Sequence, residues 1–455
     1  MEPTGHSPAS LDSSIAQWRE YLRRRQTLHT VDIAELEDHL RELIDSLIAG
    51  GLTADEAFLV AVKRMGAQDA LSAEFAREHS DRLWKQLVAV PDGEPAERGT
   101  REALMAFGCA VGAAALAKLP ALFGIDLKTH ESFYLRHASF FVLPVMAGFF
   151  AWKRQLPAAT IRWLAAAFVL ALVVMNTLPF TPAGNTEILA SLHLPIALWL
   201  AVGIAYAGPR FREVAGRMDF IRFSGELFIY FVLIALGGGL LMAISANIFQ
   251  AIGIDIEPFF EEWIAPCGPT GALIVAAWLV EAKQSVVENM APVLTRLFTP
   301  LFTIALFFFL GAVIWTGQGL SMERDTLLVF DLLLAVVVAL LLYSLSARDP
   351  HAPPGPFDVL QLVLVLAALA TDIVALAAIT NRIDQYGFSP NRVAALGENL
   401  LLLVNLGGSA VLSLRFLLKE GPFARLERWQ TDFLPVYSGW AALVVVGFPF
   451  LFGFG

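Results

Sequence analysis

Eleven long apolar runs, three of them free of charge and none with more than three charged residues, govern what this chain can fold into. In hydrocarbon a backbone must satisfy its own hydrogen bonds, and about 20 mostly apolar residues carry a helix across. The runs fall at 103–124, 137–152, 161–180, 187–207, 224–250, 267–282, 298–317, 326–346, 357–380, 391–418 and 434–454, the second and sixth being short. They predict an all-α fold, a polytopic transmembrane bundle of about 11 helices. Only 16% of the residues are charged, against about 25% in soluble chains.

The charge is concentrated in the first 101 residues, which hold 18 acidic and 12 basic side chains, a net charge of −6. Residues 1–30 lack the apolar core of a secretory signal, so this part is expected in the cytoplasm. Ile33, Leu36, Leu40, Leu43 and Leu47 recur at three- and four-residue steps and predict an amphipathic helix that ends at Gly50–Gly51. Thr53 and Glu56 form a capping box for the next helix, which stops at Gly66. Trp18 and Leu22 mark an earlier helix, and "ALSAEFAREHSDRLWKQL" a later one. The expected division is a small helical domain at 1–87, a Pro/Gly/Glu-rich linker at 88–101 and a membrane domain at 102–455. The acidic balance argues against direct nucleic-acid binding, which calls for a basic footprint.

The order Trp-x-x-x-Leu, "DIAELEDHLRE", "GLTADEAFLVAVKRMG" resembles the permease-prefix domain and is similar to the HTH-associated alpha-helical signalling domain, over about 75 residues. That resemblance implies a bacterial membrane protein, a transcriptional regulator or signalling protein as cytoplasmic partner, and no catalytic residues.

Lys/Arg distribution orients the bundle. With the N-terminus inside, fourteen Lys/Arg fall in inner connections, while Lys128, Arg136, Arg324, Arg382 and Arg392 are the five in outer ones. The acidic stretch "GIDIEPFFEEWIAP" also lies outside, and eleven crossings leave the C-terminus external. "GPRFREVAGRMDFIRF" and "KEGPFARLERWQTD" mix basic and aromatic residues, as inner loops or as interfacial helices on anionic lipid.

Two polar features stand out. The first is "NRIDQYGFSPNR", Asn381 to Arg392. Gly387 can take a positive φ, Ser389 is a good N-cap and Pro390 suits the first helical position, which predicts a tight helix–turn–helix. Arg382 and Arg392 flank it, candidates with Arg324 for contact with an anionic headgroup or solute. "RIDQYGFSPNRVAALGENLLLL" resembles a segment of an uncharacterised bacterial polytopic membrane family, with Arg382, Tyr386, Gly387, Ser389 and Arg392 on the matching positions. That family lends no activity.

The second is a layer of ionisable residues inside the outer halves of the runs: Lys118, His193, Asp331, Asp372 and Glu398. At 1.5 Å per residue they lie roughly 8–12 Å deep. Charged groups at such depth are costly and mark functional sites. Two arrangements are open: Lys118 pairs with one acid while the others are protonated or hydrogen-bonded, or the layer lines a polar cavity beneath the arginines. Asp372 and Glu398 are expected to face inward near each other. Glu226 and Glu281 lie near inner ends.

No GxxxxGK[ST], HExxH, GxSxG or helix-opening GxGxxG occurs, and Cys109 and Cys267 have no CxxC or Cys/His neighbourhood. Neither catalytic residues, metal nor cofactor is expected, and membrane lipids are expected partners. The residues favour a non-enzymatic protein of the bacterial inner membrane that couples an outer or lipid signal to the cytoplasmic domain. A proton- or cation-coupled secondary transporter and a lipid-modifying enzyme are the alternatives.

Overall fold

The computed structural model describes residues 11, 14–15, 18, 30–66, 94–282, 291–317 and 324–455. The chain divides into two compact units, Met1–Arg98 and Gly99–Gly455.

In the first unit, α1 (Thr30–Ala49) packs against α2 (Ala54–Gly66). Leu40, Ile44 and Leu47 of α1 and Ala57, Phe58, Ala61 and Val62 of α2 enclose Ile15 and Trp18 in one apolar core. Leu40 and Leu47 follow the sequence stripe, while Ile44, not Leu43, is fully buried between them. The side chains of Ile33 and Leu36, and the helix expected beyond residue 66, lie outside the described residues. Gly51, at φ 97°, closes α1. The box at α2 forms through one arm: the Glu56 carboxylate accepts from the Thr53 N–H at 3.0 Å and from its hydroxyl at 2.7 Å. Those two bonds favour the charged form and hold Glu56 below the usual carboxylate pKa.

Among the described residues, eleven helices are long and apolar enough to cross a membrane, the architecture of a multi-pass transmembrane protein. They are α3 (Glu94–Lys118), α4 (Glu131–Lys153), α5 (Ala158–Thr177), α6 (Asn185–Ala207), α7 (Val214–Ala251), α8 (Ala265–Ala282), α9 (Ala291–Thr316), α10 (Arg324–Ser346), α11 (Pro356–Tyr386), α12 (Pro390–Leu417) and α13 (Ala424–Phe452). Several bounds differ from those read in the sequence. Part of the expected linker, Glu94–Arg101, is the first turns of α3, since Glu, Ala and Arg there are good helix formers. The second run extends back to Glu131, because the polar residues at its start find partners inside the bundle. Half of the acidic loop is helical over Glu257–Ile264 and feeds α8. Helix α11 runs six residues past the expected end, to Tyr386.

Among the described residues, two large apolar cores and two smaller clusters fill the membrane unit. One joins α3–α8 and is rich in rings: Phe150 meets Tyr206 and Phe223 edge-on at 5.2 Å, and Tyr206 stacks on Phe223 at 4.4 Å. The other joins α9–α13 and is mostly aliphatic, with Met218 and Ile221 of α7 added. Helices α6 and α13 pack extensively, and with α7 they tie the cores together. Where α12 meets α13, a Cβ on Gly397 would lie 2.0 Å from the Trp440 ring, so their close approach requires glycine.

Candidate functional site

Between the two cores lies a cavity of about 810 Å³, large enough for a drug-sized molecule. Helices α6, α10, α12 and α13 supply most of its wall, and Phe220 of α7 contributes from one side. The surface is largely aliphatic and aromatic, with Trp199, Tyr437 and Trp440 among the rings. His193, Asp331, Glu398 and Asn399 are its polar residues near one end.

Three of the five layer residues thus come together. His193, Asp331 and Glu398 stand eight, seven and eight residues into α6, α10 and α12, about 10–12 Å along each axis. His193 is buried; its Nδ1 faces the Leu189 carbonyl at 2.8 Å and its Nε2 faces Glu398 Oε1 at 2.6 Å. Pro195, one turn above Ser191, lacks the N–H that would bond the Ser191 carbonyl, so helix α6 carries a gap in its ladder beside the site. Asp331 Oδ1 accepts from Asn399 Nδ2 at 2.8 Å. Asn399 is fully buried, and its Oδ1 has no hydrogen-bond partner among the described residues.

Asp372 is fully buried on α11, and neither carboxyl oxygen has a hydrogen-bond partner among the described residues. It faces inward as expected, but no hydrogen bond joins it to Glu398. Asp331 lies within electrostatic range of both. Since Tyr386 ends α11, Asp372 is fourteen residues from that end, deeper than the sequence count allowed.

Lys118 is a correction. It pairs with no acid of the layer: its Nζ donates to the Glu262 backbone carbonyl at 2.6 Å and sits 4.5 Å from the Trp263 ring centre. The helical segment Glu257–Ile264, read as an open loop, supplies both partners. Nearby, Lys128 pairs with Glu261, and that carboxylate raises the ammonium pKa.

The arginines are also elsewhere. Arg392 Nη1 donates to the carbonyls of Tyr386 at 3.1 Å and Gly387 at 2.8 Å. Its guanidinium lies 5.4 Å from the Tyr386 ring centre, and that of Arg382 lies 5.7 Å from the same ring. They brace the turn and do not line the cavity. The turn itself forms as read: Gly387 has φ 75°, and Ser389 Oγ accepts from the Arg392 N–H at 3.4 Å. The backbone of Arg324 opens α10, while its side chain lies outside the described residues.

Sequence reading missed several partners. Glu187, buried at the start of α6, binds Arg136 Nε at 3.0 Å and the Ala183 N–H at 2.7 Å. Arg136, assigned to an outer connection, is a member of α4. His137 faces Asn176 at about 3.1 Å. Glu281, near an inner end by sequence, is buried and takes both Lys153 and Arg154 at 3.0 Å. Asn399 carried a faint signal, being an amide beside a membrane acid. No group of three or more possible metal ligands occurs among the described residues.

No family model, no curated protein and no solved structure matches this chain.

Proposed function

We propose that this protein handles protons inside the membrane, as a proton-coupled secondary transporter whose ligand occupies the cavity between the two cores. Asp372 carries the proposal: a fully buried carboxyl with no hydrogen-bond partner on either oxygen and with Asp331 as its electrostatic neighbour. Burial of an ionised carboxylate without a partner costs many kcal/mol, so the group holds a proton instead. Two acids close together disfavour double ionisation, which makes proton occupancy of one depend on the charge of the other. Asp331 and Glu398 extend that dependence to the cavity surface, where the His193 ring faces Glu398.

The Lys/Arg asymmetry supports a cytoplasmic N-terminus and an external C-terminus, with the acid layer in the outer half. The resemblances support a bacterial inner membrane. A second reading, signal relay to a regulator, is supported by the separate core around Trp18, since a unit with its own core can serve as an interaction module. In that reading the proton or ligand state of the cavity is the signal.

Infrared difference spectra across the acidic to mildly alkaline range test the proton reading without knowledge of the ligand. The wild type is expected to show protonated carboxyl absorption that changes with pH, with one component missing in Asp372→Asn. Spectra with no protonated carboxyl at any pH, or unchanged in Asp372→Asn, would end the proposal.

A further inference from the structure

The cavity also states what kind of molecule suits it. We infer that it binds a lipophilic amine in its protonated form, admitted sideways from the bilayer. The inference rests on the proton reading above, because the ammonium group takes the place of a proton among the same acids.

Three observations carry it. The first is the charge of the lining. The titratable groups that face the cavity are His193 from α6, Asp331 from α10, Glu398 from α12 and Tyr437 from α13; Asp372 of α11 is within electrostatic range of Asp331, and α7 contributes only Phe220. Among the described residues, no Lys or Arg lines it. A negative headgroup would meet uncompensated acids, whereas a positive one supplies their missing counter-charge.

The second is a set of unused hydrogen-bonding atoms. Asn399 is fully buried and gives its N–H to Asp331, which leaves its Oδ1 as an acceptor without a donor. A buried acceptor left unsatisfied is destabilising, and an ammonium N–H directed at it removes that cost. Tyr437 Oη and Trp440 Nε1 are likewise without partners at the same cavity. Their rings, with Trp199, provide faces on which an organic cation gains further attraction.

The third is access. Leu192, Ile196 and Leu332 line the cavity and remain 57%, 49% and 66% exposed. Leu192 and Leu332 are sequence neighbours of His193 and Asp331, so the opening lies alongside the apolar spans and not at their ends. A molecule entering there is already dissolved in hydrocarbon, which selects for an apolar body of the size the 810 Å³ space admits.

Purified full-length protein in detergent, titrated calorimetrically with 4-phenylbenzylamine and with the equally shaped, uncharged 4-phenylbenzyl alcohol, tests this. The amine is expected to bind saturably and to weaken as pH falls, by up to about tenfold per unit where one proton competes with one cation. At least a tenfold loss is expected in Glu398→Gln and in Asp331→Asn, with the alcohol binding at least tenfold more weakly than the amine to wild type. Native mass spectrometry of the same preparation distinguishes a free amine from a bilayer lipid with an ammonium headgroup. A co-purified lipid of that kind, displaced by the amine, places the same chemistry on a lipid. Absence of saturable amine binding to wild type, equal binding of amine and alcohol, or binding unchanged in a folded Glu398→Gln protein overturns the inference. A persisting Asp372 infrared component in that case leaves the proton reading standing, while its absence removes both.

Discussion

The acids of the two cores are accommodated in opposite ways. In the ring-rich core, Glu187 and Glu281 are almost fully buried, and each meets a cation: Arg136 for the first, Lys153 and Arg154 for the second. In the aliphatic core and its seam, Asp331, Asp372 and Glu398 meet no Lys or Arg among the described residues; their only side-chain hydrogen bonds are to Asn399 and His193. A carboxylate held by a guanidinium stays ionised and fixes two helices together. A carboxyl without a cation is stable in hydrocarbon only when protonated, so its charge can change. The first arrangement builds a frame, and the second is the one on which the proton proposal rests.

That contrast can be broken by removing one partner at a time. The largest effect is expected for Arg136→Met, which leaves Glu187 charged and buried; loss of one member of a buried pair costs about 3–5 kcal/mol. Thermal unfolding in detergent should show it, and a Tm near that of the wild type would mean that Glu187 is also held as a neutral acid. Gly397→Ala comes next. Its methyl would enter the Trp440 ring, and forced overpacking costs typically about 1–3 kcal/mol; an unchanged Tm would show that α12 and α13 separate easily at the cavity. Asp372→Asn should cost least. It loses no hydrogen bond and no ion pair, so stability is expected to hold or rise, in contrast to Arg136→Met. A loss comparable to that variant would reveal an ionised Asp372 with a partner, and the two cores would then be alike.

The helices were legible because apolar length alone sets them: each needs only enough uncharged residues in a row. The depth of His193, Asp331 and Glu398 was legible for the same reason, since counting residues from a helix end measures distance along its axis. Partnership was not. His193 and Glu398 are 205 residues apart, and Asp331 and Asn399 are 68 apart, so their meeting depends on which way each helix is rotated and which helices are neighbours. Lys118 shows the same limit. It shares the depth of the acids, but its helix is packed in the other core, where a backbone carbonyl and a tryptophan ring take its charge. The Asn381–Arg392 turn was readable almost in full, because every group that closes it comes from nearby in the chain.

That locality bears on how the protein is assembled. The carbonyls of Tyr386 and Gly387 are held by Arg392, six and five positions away, and Ser389 caps the N–H three positions on. These bonds require no third helix. A nascent chain that has emitted residues 356–417 therefore has all it needs to close α11 and α12 into a hairpin, which can enter the bilayer as one object. Asp372 and Glu398 then travel in together, on two arms of the same hairpin, before α13 has left the ribosome.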